Sequence, residues 1–125
     1  MRKLLIIAFL GSTMTIAVAG AVDTSDFDAK TTRDLVNLCS ASAGDPHYDA
    51  AMGFCFGFID GALDYHRAVT SGDLLTPIAC PGEEATRQEI LDAFLAWAKT
   101  NPGLLDTESP IQGLMRSASA AWPCN

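Results

Sequence analysis

The sequence predicts an all-α fold, a small four-helix, disulfide-bonded bundle with room for one extra short helix. Three observations carry that reading. No stretch shows the sustained period-two alternation or the β-branched clusters that mark a strand. Four segments instead repeat apolar residues at helical spacing, each with its own start or stop signal. Four cysteines, an even number in a chain that opens on an export-type leader, supply cross-links where a chain of 125 residues can bury only a modest core.

Residues 1–21 read as a cleavable secretory signal peptide. Arg2 and Lys3 precede an apolar run broken by polar and glycine residues at 11–13, and Ala17-Val18-Ala19 gives a small-x-small ending. A membrane anchor would need about 18 unbroken apolar residues. Removing the leader leaves one helical domain, 22–125, and takes away two of the eight basic residues and none of the fifteen acidic ones. The formal charge thus moves from 8 − 15 = −7 to 6 − 15 = −9. Such an acidic domain is poorly suited to nucleic acid or anionic membrane and suited to a basic partner.

The first helix is expected from Thr32 to about Ala41, capped by Thr31, with Leu35, Leu38 and Cys39 on one face. In "AGDPHY", Asp45 can accept from exposed amides and Pro46 suits a first helical position. A long second helix then runs to about Val69 and stops at "TSGD". Pro77 and Pro81 keep the following segment out of a helix. Thr86 and Glu89 form a capping box for a third helix reaching about Thr100, with Ile90, Leu91, Phe94, Leu95 and Trp97 or Ala98 as its buried stripe. Ser109, Pro110 and Gln112 open a fourth, whose apolar face is Ile111, Leu114, Met115 and Ala118.

The cysteines test this layout. There is no C-x-x-C pair, and His47 and His66 lack ligand spacing to the cysteines, which sets zinc aside. Residues facing each other in an antiparallel hairpin average to the middle of its connection. Cys39 and Cys55 centre on "AGDPH", and Cys80 and Cys124 on "NPGLLDTES". That favours Cys39–Cys55 and Cys80–Cys124 among the three pairings that four cysteines allow.

Catalytic chemistry is hard to assemble. Asp60 and Asp64 lie one turn apart with His66 close by, but at about 100° per residue His66 points to the face of Cys55 and Ile59 while the aspartates point away. No catalytic residue, metal site or cofactor is assigned, and the chain reads as a non-enzyme.

The second helix is unusual. "GFCFGFIDG" sets Gly53, Gly57 and Gly61 at four-residue intervals on a strip that also holds Asp60 and Asp64, opposite a face of Ala51, Cys55, Phe58, Ile59, Ala62 and His66. Phe54 and Tyr65 flank the strip on one side, Phe56 and Leu63 on the other. Each interior glycine costs a helix about 1 kcal/mol relative to alanine. The strip therefore implies close packing: against another helix of the same chain, which is the simplest case, or against a second subunit, with direct ligand contact a third option.

"FCFGFIDGALD" resembles the motif C-x-G-[FY]-[IV]-x-G-x-x-D of the type VI secretion amidase immunity proteins, the Rap/Tai family. Cys39 ending the first helix, "CP" at 80–81, "NP" at 101–102 and the terminal "WPC" follow in the family's order, so the resemblance spans about 32–124. It implies a small all-helical, disulfide-bonded periplasmic protein, commonly a homodimer, that binds and occludes a peptidoglycan amidase effector and catalyses nothing. The matched positions Cys55, Gly57, Phe58, Ile59, Gly61 and Asp64 correspond to scaffold. Contact with the partner falls to two loops, one with Asp73, Leu74 and Leu75, the other with Leu104, Leu105, Asp106 and Glu108. In each, a leucine pair beside carboxylates would suit a cleft with a basic rim, although leucines tucked beneath their loops are the simpler expectation. The competing functional class is a small periplasmic stress or acid chaperone-like binding protein of the same helical, disulfide-bonded type.

Overall fold

A computed structural model describes residues 21–73 and 75–125. Nearly all of the expected leader, and Leu74, lie outside the described residues. Four α-helices form the domain: α1, Thr32–Cys39; α2, Tyr48–Thr70; α3, Arg87–Thr100; and α4, Pro110–Ala121. Short 3-10 turns at Thr24–Asp28 and Pro102–Leu104 add to them, and no strand occurs among the described residues. None of the described helices is long and apolar enough to cross a membrane.

The helix starts follow local chemistry. Thr31 with Asp34, Thr86 with Glu89 and Ser109 with Gln112 each close a capping box, satisfying backbone amides that the first turn leaves without intrahelical partners. α2 starts two residues later than Pro46. The Asp45 carboxylate accepts from the His47 amide at 2.7 Å and the Asp45 carbonyl from the Tyr48 amide at 3.0 Å, which ties Pro46 and His47 into a turn ahead of the helix. The same carboxylate accepts from the Val22 amide at 2.8 Å. It thereby pins the N-terminal segment, whose Val22 packs on Leu38 and Ala51. The 3-10 turn at Thr24–Asp28 carries its own capping box from Asp23 and Asp26 and places Phe27 edge-on to Phe54, ring centroids 6.0 Å apart. It ends at Ala29 with φ 46°, a left-handed conformation that costs a residue with a Cβ.

The core is Leu35 and Cys39 of α1, Cys55, Ile59 and Leu63 of α2, Ile90, Leu91 and Phe94 of α3 and Leu114 of α4. α1 packs on α2 and α4, and α3 packs on α4 and α2. The disulfides are Cys39–Cys55, buried in that core, and Cys80–Cys124, nearer the surface, which ties the segment before α3 to the C-terminus.

Two faces are rotated from expectation. In α2 the inward stripe is Ala51, Cys55, Ile59 and Leu63, while Phe58, Ala62 and His66 are half-buried. In α4, Ile111 is 42% exposed, and the buried side instead takes in Gly113 and Ser117 with Leu114, Met115 and Ala118. The cause is a close crossing with α1. A Cβ built on Gly113 would sit 2.5 Å from Thr32 Oγ1 and 2.9 Å from its Cβ. Thr32 is fully buried there, donating its hydroxyl to the Ser109 carbonyl at 2.8 Å and its amide to the Glu108 carbonyl at 2.8 Å. Turning Gly113 and Pro110 toward α1 turns Ile111 outward.

Candidate protein-docking surface

Side-chain pairing accounts for the residues that could have built a catalytic centre. Asp64 accepts from Arg67 at 2.7 Å, and Asp60 lies 3.5 Å from Arg87, whose guanidinium also sits 4.8 Å above the Phe56 ring. His66 faces elsewhere, with Nε2 accepting from the Ile78 amide at 3.1 Å. Among the described residues no three His, Cys, Asp or Glu side chains gather in a way that could hold a metal ion.

The glycine strip has no close neighbour among the described residues. A Cβ built on Gly53, Gly57 or Gly61 meets nothing within 4 Å. Among the described residues no other helix packs there, because α1 and α3 both approach α2 from its Cys55–Ile59 side and leave the strip outward. Gly57 and Gly61, without Gly53, line a shallow apolar depression of about 490 Å³ together with Phe58, Ala62, Ile111 and Tyr65, the last 71% exposed. Ile111 is also a ridge shared with a second groove of about 650 Å³ between α3 and α4, lined by Trp97, Leu104, Met115 and Ile78.

The two candidate contact loops part company. In the loop before α4, Leu105 is 5% exposed and Leu104 half-buried. The Leu105 carbonyl accepts from the Arg33 amide at 2.8 Å. Asp106 is gripped by the Arg33 guanidinium through two hydrogen bonds, the longer 2.8 Å, which hold its carboxyl below the usual range and raise the arginine. Glu108 accepts from Arg116 at 2.8 Å. Leu105 and the two carboxylates are thus engaged within the fold.

The loop before α3 is different. Leu75 is 55% and Ile78 56% exposed. Residues 71–86 contain Asp73, Glu83 and Glu84 and no lysine or arginine. None of those carboxylates enters an ion pair or side-chain hydrogen bond among the described residues, where Lys30, Arg33, Arg67, Arg87 and Arg116 are paired with other acids and Lys99 with none. Uncompensated negative charge beside exposed aliphatic side chains is therefore concentrated on this segment. Its far end is held by the Cys80–Cys124 bridge and by the Cys80 amide, which donates to the Trp122 carbonyl at 2.8 Å.

Sequence reasoning missed Arg33 and Arg116, the clamps that withdraw Asp106 and Glu108: Arg33 lies 73 residues from Asp106 with nothing local to announce it, whereas Arg116 is only eight residues past Glu108, on the helix that the loop leads into. It also missed Glu83 and Glu84, where the net charge of the segment was the available signal.

Comparison with known proteins agrees with this assembly of features. Searches of curated proteins and of solved structures each found no match. The family model for Rap1a immunity proteins matches residues 31–124, from the cap of α1 through the second disulfide. The match takes in the two disulfides, the glycine-bearing α2 and both loops, and on that extent the chain belongs to the Rap1a immunity protein family.

Proposed function

We propose that the protein is a periplasmic immunity protein of a type VI secretion system, exported by residues 1–21 as a cleaved leader, that binds a peptidoglycan amidase effector and occludes its cleft. Membership of an immunity family implies binding to a protein effector and no catalysis of its own. The observation that carries the finer reading is the segment 71–86, where exposed Leu75 and Ile78 stand among Asp73, Glu83 and Glu84 with no basic residue to neutralise them. Aliphatic side chains entering a cleft while carboxylates meet a basic rim combine burial with charge complementarity, the second of which also speeds encounter. Asp106 and Glu108 support the loop before α4 and take no part in contact.

The same reading assigns the glycine strip to a second copy of the chain. Gly53, Gly57 and Gly61, with Tyr65 and Ile111 beside them, would let the backbone of a facing α2 approach closely, which recovers the helix-propensity cost that the isolated protomer carries without return.

The experiment is protection of cells. An amidase encoded beside this gene, sent to the periplasm, is expected to lyse cells that lack the protein and to spare cells that export it. Lysis undiminished by the exported protein would overturn the amidase assignment. Sedimentation of the mature chain should give a dimer that Gly57→Leu dissociates; a wild-type monomer at high micromolar concentration would remove the second copy.

A further inference from the structure

His66 is half-buried near the end of α2, and its Nε2 accepts the Ile78 amide at 3.1 Å. An imidazole nitrogen accepts a hydrogen bond only when the ring is neutral and the proton sits on the other nitrogen; the imidazolium donates from both. Protonation would therefore set a donor against a donor and remove the bond. The charged groups around the contact offer the imidazolium little in exchange. On its own helix, Asp64 and Arg67 pair with each other. Ile78, whose amide meets the ring, stands in "LTPIA" at 75–79, which holds no titratable side chain, and the bridged Cys80 next to it does not titrate. Arg116, the charged side chain of the groove on the other side of Ile78, is held by Glu108. The nearest loop carboxylate in sequence, Asp73, makes no ion pair or side-chain hydrogen bond among the described residues.

We infer that His66 is a positioning residue for the docking segment: neutral, it latches Ile78 and fixes how Leu75 and Ile78 are presented; protonated, it releases them. The inference rests on the reading of residues 71–86 as the contact segment for its functional meaning, and on the hydrogen bond alone for its structural content.

The test is amide hydrogen exchange at Ile78 in the full disulfide-bonded protein, expressed as protection relative to the unstructured rate, between about pH 8 and 5, where histidine side chains ordinarily change charge. Protection at Ile78 is expected to fall roughly tenfold across that interval, the scale of one ordinary hydrogen bond. The Cys80 amide, bonded to the Trp122 carbonyl and to no imidazole, should keep its protection. His66→Gln, whose amide oxygen can reach the same donor, should hold Ile78 protected at every pH, and His66→Ala should leave it unprotected at every pH. Flat protection in the wild type, a fall shared equally by Cys80, or a pH profile that persists in His66→Gln would overturn the latch. No partner is needed for this measurement. Its failure would leave the docking reading standing, and failure of cell protection would leave the latch standing.

Discussion

Two loops of similar composition have opposite fates in this protein. The one before α4 and the one before α3 each set a leucine pair beside acidic residues. In the first, Leu105 is buried and its neighbours Asp106 and Glu108 are clamped by Arg33 and Arg116. In the second, Leu75 and Ile78 are exposed and the acids stand without basic partners among the described residues. The difference comes from α1. Arg33 and Thr32 donate their amides to the carbonyls of Leu105 and Glu108, so the first loop closes the bundle. The second is held by the Cys80–Cys124 bridge, by Ala79 packed on Met115 and Ala118, and by the Ile78 amide bonded to His66, while Leu75 stays exposed. One loop closes the bundle, and the other is the one proposed above to meet the partner.

Truncating the two leucines should separate these roles most sharply. Leu105→Ala should cost about 2–5 kcal/mol in urea denaturation, as for a large buried side chain; Leu75→Ala should stay within about 0.5 kcal/mol, as for surface positions. Equal losses would erase the distinction. Removing the Cys80–Cys124 bridge with a double serine substitution should cost about 2–4 kcal/mol. Mild reductant should open that bridge before Cys39–Cys55, which the core encloses, and mass mapping of alkylated cysteines would read the order. Gly113→Ala forces a Cβ onto Thr32 at the point where the first loop meets α1, an overpacking worth about 1–3 kcal/mol. Gly57→Ala should do the reverse, raising protomer stability by up to about 1 kcal/mol, because a Cβ there meets nothing among the described residues.

The smallest expected effect is on acid stability. The carboxyls of Asp106 and Asp45 are held below their ordinary value of 3.8, Asp106 by the Arg33 guanidinium and Asp45 by the Val22 and His47 amides. Each contributes stability that is present above the unfolded value and disappears as pH falls through the lowered folded one. Thermal melts should therefore decline on the acid side of 3.8, and Asp45→Asn should flatten part of that decline. Because both groups are at the surface, added salt should shrink the Asp106 contribution.

Local signals served the sequence reading well. Three capping boxes, the cysteine midpoints and the proline-rich segment before α3 foretold the helices and both bridges to within one or two residues. At Pro46 the start was misplaced, since Asp45 prefers a hydrogen-bonded turn and also reaches Val22. Long-range geometry was hidden. Helix propensity points to close packing at Gly53, Gly57 and Gly61, whereas the tight approach lies at Gly113, against the Thr32 side chain, a position that the periodicity of α4 disguises by offering Ile111 as core. The strip at Gly53, Gly57 and Gly61 stood out because it repeats, and within the protomer it faces outward. That Leu105 tucks under its loop depends on Arg33 and Thr32, more than sixty residues away in sequence from the loop they close.

The division between the loops is tested most directly by protection against the exported amidase with the two loops altered separately. Leu75→Asp with Ile78→Asp should abolish protection while leaving the denaturation midpoint near that of the wild type. Asp106→Asn should retain full protection despite losing its clamp. Protection that survives the Leu75 and Ile78 changes, or that is lost with Asp106→Asn in a protein still folded, would contradict the account.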